Sequence, residues 1–370
     1  MSISLKELEL LIETLSPREY AYDWDNSGFN INLNNAEVTG IMLCLDVSEE
    51  IIEEAAAKKC NLIISHHPLL FHAAKQINSE TYQGKCIAAL IRNDISLYCA
   101  HTSMDTAPQG INRYLADTLG LRNQEYLEET NVGRYFEVAV HVPESHVDKI
   151  RSAMSKAGAG NIGDYSECTY NIAGKGTFRP NDQANPYIGS NGNLETVDEV
   201  RVSAVCPECR LTAVLSAIRN VHPYEEPAIS ALVVSEPRSV NAGLGIVGDL
   251  EKAMAASDVI LEIKKKLEID CVRAAGDLGR MISRVAICGG AAGDMEALAK
   301  EKGAQLYLTG EIKHNFYMEA QDMVLIEAGH YDTEKCFCKL YAEGLQKLLD
   351  DVNYNVAIYI TSLHRPYVNI

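Results

Sequence analysis

Short apolar runs alternate with amphipathic segments in two separated stretches of the chain. From Gly40 the order is strand GIMLCL, helix SEEIIEEAAAKK opened by Ser48, strand NLIIS, helix SETYQGKCIAALIRN and strand ISLYCA. Runs such as Leu62-Ile63-Ile64 are continuously apolar rather than alternating, the pattern of strands covered on both faces. Strands joined through helices imply right-handed crossovers and a mostly parallel sheet. The order returns near the C-terminus: strand RVAICGG, helix GDMEALAKEKG, strand QLYLTG, a short helix after His314, strand MVLIEAG, a long helix from about Thr333 and strand VAIYI. Residues 41–67 overlay residues 285–311 without a gap and bring Cys44 onto Cys288, so the two stretches read as a diverged repeat. The N-terminal segment MSISLKELELLIETL reads as an amphipathic helix with Ser4 and Glu7 as a capping box.

Between the repeats the pattern changes. Strand RYFEVAVHV, helix SHVDKIRSAMSKAG, strand DYSECTYNI, a Gly/Asn/Pro-rich hairpin region, strand DEVRVSAVC, helix RLTAVLSAIRNV and strand PAISALVV follow one another. This β-α-β-β-α-β order is the ferredoxin-like arrangement. The expected fold class is therefore α/β: two pseudo-repeated halves, residues 1–132 and 236–370, form one domain, and residues 133–235 form an inserted α+β domain. The stretch RPNDQANPYIGSNGN within the insert reads as a polar loop.

Composition narrows the functional classes. The 370 residues are 47% hydrophobic and 23% charged, and 33 basic against 51 acidic residues give a net charge of −18. Such a balance disfavours non-specific attraction to nucleic acid or to an anionic membrane. No apolar run approaches the roughly 20 residues that span a bilayer, and the N-terminus lacks a charged-then-apolar leader. Eleven cysteines, mostly scattered through apolar strands, fit a reducing compartment better than a disulfide framework, so a cytoplasmic location is expected.

Three polar clusters fall just past strand carboxyl ends, where open α/β sheets place their ligands. They are His66-His67-Pro68, then His101 with Asp105, then His330 with Glu334. Adjacent residues leaving a strand point in opposite directions, so His66 and His67 suit two neighbouring ions, or one ion and a substrate, better than chelation of a single ion. Imidazole nitrogens mixed with carboxylates suit Zn²⁺, Fe²⁺, Mn²⁺ or Co²⁺ rather than a Ca²⁺ or Mg²⁺ cage. Glu334 is the candidate bridge. Taken singly, Asp105 also fits a cap on a helix starting near Gln109, and Glu334 a first-turn dipole contact. Glu311 and His314, at the end of another strand, are candidate substrate contacts or simply solvated side chains. The Cys206/Cys209 pair has no partner pair at zinc-ribbon spacing and reads as reduced thiols. CGGAAGD, residues 288–294, lacks the lysine of a phosphate loop and reads as a tight turn. His222, Glu225 and Glu226 read as a proline-bounded loop.

The motifs SHHPLLF, AHTSMDTAPQGIN, RVAICGG, LYLTGEIKH and GHYDTEK, in that order, resemble the dinuclear metal-centre hexameric family related to the yeast NGG-interacting factor. Many bacterial members of that family are called GTP cyclohydrolase I type two homologs. The resemblance spans essentially the whole chain, and residues 133–235 resemble the PII/CutA-like domain inserted in its longer members. It implies a toroidal homohexamer with two divalent metal ions per subunit, Zn, Fe or Mn, facing an inner cavity. Carried over by motif, the metal ligands are His66, His67, Asp105, His330 and Glu334, with His101 beside the metals as a candidate either to support the ligands or to transfer protons. Ser103, Gln109 and the loop GGAAGD depart from the family pattern without touching a ligand.

Two functions follow. One is a metal-dependent hydrolase acting on a nucleotide or related small molecule, including a GTP cyclohydrolase-like attack at purine C8, in which paired ions activate water near neutral pH. The other is a metal-loaded regulatory or scaffold protein whose insert senses a ligand or partner. Vacant coordination separates them, since a structural site is closed.

Overall fold

The computed structural model describes residues 3–34, 36–130, 135–162, 165–234, 242–319, 322–363 and 367. The chain forms two compact units, residues 1–130 with 241–370, and residues 131–240. The expected domain boundaries at 132/133 and 235/236 lie outside the described residues.

The first unit holds two sheets built to one plan. In one, strands Ile41–Cys44, Leu62–Ser65 and Ser96–Cys99 run parallel in that spatial order, and Gly28–Ile31 pairs antiparallel with the last. In the other, Met281–Cys288, Leu306–Thr309 and Val324–Glu327 run parallel in the same order, and Arg273–Ala275 pairs antiparallel with the last. The repeat read over 27 residues thus extends to a whole four-stranded motif. Each sheet gains outer strands: Ile358–Ile360 pairs parallel with Ile41–Cys44, whereas Gly243–Ala255 pairs antiparallel with Met281–Cys288 and Arg122–Glu129 in turn pairs antiparallel with Gly243–Ala255.

Alternate strand residues feed different cores, which explains the continuous apolar runs. Leu43, Ile64, Ile287 and Leu308 join one core with Leu8, Ile12, Leu115, Ile263, Tyr341 and Leu345, so helices lie between the sheets. Met42, Cys44 and Ile63 face a second core with Ile52 and Leu90, and Ala286, Cys288 and Tyr307 face a third with Ala299. The capping box is formed: Ser4 Oγ accepts from the Glu7 amide, and the Glu7 carboxylate accepts from the Ser4 amide at 3.0 Å.

Local corrections have local causes. The expected long helix from Thr333 is two helices, His330–Glu334 and Phe337–Asp351, so Glu334 ends the first rather than opening the second. Asp105 caps nothing near Gln109: it ends the helix Thr102–Asp105, and the next helix, Ile111–Leu119, starts from Gly110. The edge strand Gly28–Ile31 has no apolar run to announce it.

In the second unit the element order is β-α-β-β-α-β as expected. Tyr135–Pro143 lies between Glu195–Pro207 and Ile229–Val234, with Tyr170–Phe178 on the outer side of Glu195–Pro207, all antiparallel. The second strand begins at Tyr170 and runs through Gly174 and Gly176, later than the expected DYSECTYNI. Helices Val147–Lys156 and Glu208–Val221 cover one face through Ile150, Met154, Val214 and Ile218. His222 is satisfied locally, by the His141 carbonyl at 2.9 Å and the Tyr224 amide at 3.0 Å. Cys206 is a buried thiol, and the Cys209 side chain lies outside the described residues.

The first unit's own geometry permits a test of the insertion. The Thr130 amide donates to the Ala242 carbonyl at 3.0 Å, and Glu129 pairs with Gly243, so the two ends of the excursion are neighbours in one ladder. Replacing residues 131–241 with Asn-Gly closes that ladder as a two-residue hairpin. The shortened protein is expected to fold and to keep its divalent-ion uptake, checked by circular dichroism and elemental analysis. Aggregation on refolding would show that the first unit needs the insert.

Candidate metal centre

The equivalent ends of the two repeats carry the same spacing of ligand types. Strand Ser96–Cys99 leads through Ala100 to His101 and on to Asp105, and strand Val324–Glu327 leads through Ala328 and Gly329 to His330 and on to Glu334. A histidine and a carboxylate four residues apart on one helical turn share a face. The third contribution is asymmetric: strand Leu62–Ser65 ends in His66-His67, whereas its counterpart Leu306–Thr309 ends in Gly310-Glu311.

These side chains converge. Glu334 Oε2 is 2.9 Å from His67 Nε2 and 3.1 Å from His330 Nε2, and those two nitrogens are 3.2 Å apart. Glu334 Oε1 is 3.6 Å from His66 Nε2, which is 3.7 Å from Asp105 Oδ1. The donors thus form overlapping groups of suitable spacing for a metal ion: His66 with Asp105 and Glu334, His67 with His330 and Glu334, and His66 with His67 and His101.

Every histidine of the cluster has its Nδ1 side occupied. His66 Nδ1 donates to the Ala100 carbonyl at 2.9 Å, His67 Nδ1 to Asp46 at 2.8 Å, His101 Nδ1 to Asp25 at 2.7 Å and His330 Nδ1 to Glu311 at 2.7 Å. With Nδ1 carrying the hydrogen, the neutral ring presents its Nε2 lone pair inward, as in carboxylate–histidine–metal arrangements. His66 Nε2 and Asp105 Oδ1 are buried with no hydrogen-bond partner. A buried ring nitrogen and a buried carboxylate oxygen facing each other at 3.7 Å call for a shared proton or a cation, because unsatisfied buried polar atoms are costly.

The charge states agree. Burial pulls the His67 imidazole down, but hydrogen bonds to Asp46 and Glu334 outweigh it and push it up to about 10. Burial likewise opposes a hydrogen bond and charge from Glu334 on His330, which ends up at about 9. Burial raises the Glu334 carboxyl, yet His66, His330 and His67 hold it well below the usual carboxylate range. Protons on these imidazoles balance the carboxylate charge, and a divalent ion taking their place would have to expel them.

Two glycines make room for the cluster. Gly290 has φ +68°, and a Cβ there would stand 2.3 Å from Glu334 Oε1. A Cβ on Gly310 would stand 2.5 Å from the Gly290 carbonyl and 2.7 Å from Thr333 Oγ1. The turn read in CGGAAGD is thus a close approach to the Glu334 carboxylate.

A family model described as Duf34/NIF3 (NGG1p interacting factor 3) matches residues 3–366. The chain belongs to the Duf34/NIF3 family. A GTP cyclohydrolase 1 type 2 homolog from Listeria monocytogenes is 38% identical over 352 residues, 93% of each chain. One from Halalkalibacterium halodurans is 34% identical over 356 residues, 96% of this chain and 95% of that protein. A crystal structure of a Bacillus cereus protein related to NIF3 matches with TM-score 0.83 and 34% identity, covering 100% of this chain and 99% of that one. Among the described residues of this NIF3-family chain, no helix is long and apolar enough to cross a membrane.

The cluster opens on a cavity of about 440 Å³ lined by His67, His101, His330, Glu311, Asp46 and Phe71 among others. Glu311, expected at the substrate, borders this space and also holds His330. His314 is exposed at the start of helix His314–Glu319 and does not line it. Asp25 and Asp46 escape a reading of the sequence alone: neither sits in a histidine motif, and Asp25 bonds to His101 across 76 residues. Asp25 is also held by Ser27 Oγ at 2.7 Å and Thr102 Oγ1 at 2.6 Å. Partners of this kind govern metal affinity, so Asp46→Asn is expected to weaken divalent-ion binding about 10- to 100-fold. Competition with a chelating dye measures it; unchanged affinity would remove Asp46 from the site.

Proposed function

We propose that this NIF3-family chain is a dinuclear metal-dependent hydrolase acting on a nucleotide or related small molecule. His66 and Asp105 would hold one divalent ion, His67 and His330 the other, and Glu334 would serve both. The observation that carries this reading is the buried, unpartnered pair His66 Nε2 and Asp105 Oδ1 beside a Glu334 carboxylate turned toward two separate donor groups. Nitrogen and oxygen donors in this ratio suit Zn²⁺, Fe²⁺ or Mn²⁺. Such ions, when bound, supply Lewis acidity and activate water for attack near neutral pH.

The chain's own residues do the remainder. Asp25 orients His101 through Nδ1 and leaves the other ring nitrogen free to hold or pass a proton beside the cavity. Asp46 and Glu311 fix the rings of His67 and His330, keeping the donors aligned without rearrangement. The curated relatives' name, GTP cyclohydrolase 1 type 2 homolog, supports a nucleotide as the first substrate class to try.

A second reading, a metal-loaded regulator, draws support from the inserted unit. That unit carries its own cavity of about 570 Å³, bordered by Phe178, Tyr187 and Tyr224. The two readings separate experimentally. Protein purified without chelator is assayed for metal content and then screened for turnover of nucleotides and phosphoesters with Zn²⁺, Fe²⁺ or Mn²⁺. Two ions per chain with turnover that Glu334→Gln abolishes is the result expected; two ions with no turnover of either class would favour the regulator, and no ions would overturn the site.

A further inference from the structure

The chain contains one tryptophan, and it stands at the rim of the histidine cluster. Trp24 is 59% exposed, and Phe71 beside it is 42% exposed. Leaving so much aromatic surface in water forgoes the free energy of its burial. Neighbouring contacts hold Trp24 in this place. Asp25, the next residue, is buried and bonded to His101 and Thr102, which pins the backbone. Tyr22 stacks on Trp24 with ring centroids 5.6 Å apart and planes 19° from parallel, and its hydroxyl donates to Glu128 at 2.6 Å. Tyr22 is a braced backing plate. The Trp24 and Phe71 rings are 6.0 Å apart and inclined at 54°, and each lies within 6.3 Å of the His101 ring. Phe71 also lines the cavity that His67, His101 and His330 share.

We propose that Trp24 and Phe71 form a stacking subsite for the planar base of a nucleotide whose reacting group faces the histidine cluster. This rests on the metal-centre reading above and names the part of the substrate that reading leaves open. A rigid aromatic corner binds a base by its π-face, which every nucleobase has, and such stacking stabilises the complex whatever the base. The braced Tyr22–Trp24 pair loses little freedom on binding, so most of that energy appears as affinity.

The single tryptophan makes the test direct. Metal-loaded full-length protein is titrated with guanosine 5′-monophosphate, uridine 5′-monophosphate and ribose 5-phosphate, following Trp24 emission and binding heat together, with metal content measured on the same samples. The nucleotides are expected to quench Trp24 and ribose 5-phosphate to leave it unchanged. Phe71→Ala is expected to weaken nucleotide binding about tenfold with metal content intact, and Trp24→Phe to retain binding by calorimetry because a ring remains. Binding heat from nucleotides with unaltered Trp24 emission, or no nucleotide binding by metal-replete protein, would overturn the subsite while leaving the metal centre standing. Emission shielded from acrylamide in the ligand-free protein would overturn it too, since another copy of the chain would then cover Trp24. Absence of metal in the samples would instead overturn the centre itself.

Discussion

Glu334→Gln is expected to abolish stable retention of divalent ions, with affinity lost by more than the roughly 100-fold that outer partners of a metal site command. The residue is 3% exposed, and its carboxylate lies within 3.6 Å of His66, His67 and His330. An amide of the same shape removes the charge and turns an N–H₂ toward lone pairs that need a cation. The fold is expected to survive, because the substitution keeps the volume and lets the raised imidazoles go neutral. Elemental analysis after dialysis and far-ultraviolet circular dichroism are the measurements. Full metal content in a folded variant would remove Glu334 as the bridge.

Gly290→Ala is expected to come close to that loss without altering any ligand. At φ +68° an alanine pays about 1–2 kcal/mol for the left-handed conformation. Its methyl, 2.3 Å from Glu334 Oε1, must also displace the carboxylate. The Gly290 amide donates to Thr333 Oγ1 and its carbonyl accepts from the Glu311 amide, so the backbone has little freedom to retreat. The adjacent Gly289→Ala is the control. Its Cβ would meet nothing nearer than Ile111 Cγ2 at 3.5 Å, an ordinary contact, and it is expected to keep metal content and melting temperature. If both variants hold metal equally, the close approach at Gly290 is irrelevant to the site.

Residue types at the strand ends were legible because a doubly buried strand must stop where the chain turns polar, and His66-His67, His101 and His330 stand at such stops. The two four-residue spacings were equally visible, being local. Asp25 was not: it lies in YAYDWDNSG, a segment of turns and bends with no period to read, and its role depends on His101 meeting it. The break between Glu334 and Phe337 was hidden for the opposite reason, since TEKCFCKLYAEGL holds an apolar period through the break. Glu311 suggested a substrate contact from position alone, whereas the fold sets its carboxylate on His330.

The sequence by itself determined the alternating strands and helices of the two repeats, their two-sided burial and the inserted β-α-β-β-α-β order, because caps, apolar runs and crossover lengths act over neighbouring residues. Tertiary structure alone decided that the halves build matching sheets around shared helices, that each ring turns Nε2 inward, and that Glu334 lies between separate donor groups. Those outcomes depend on strand ends 34 to 267 residues apart meeting within hydrogen-bond reach. No local pattern encodes such a distance; the packing of the two sheets sets it.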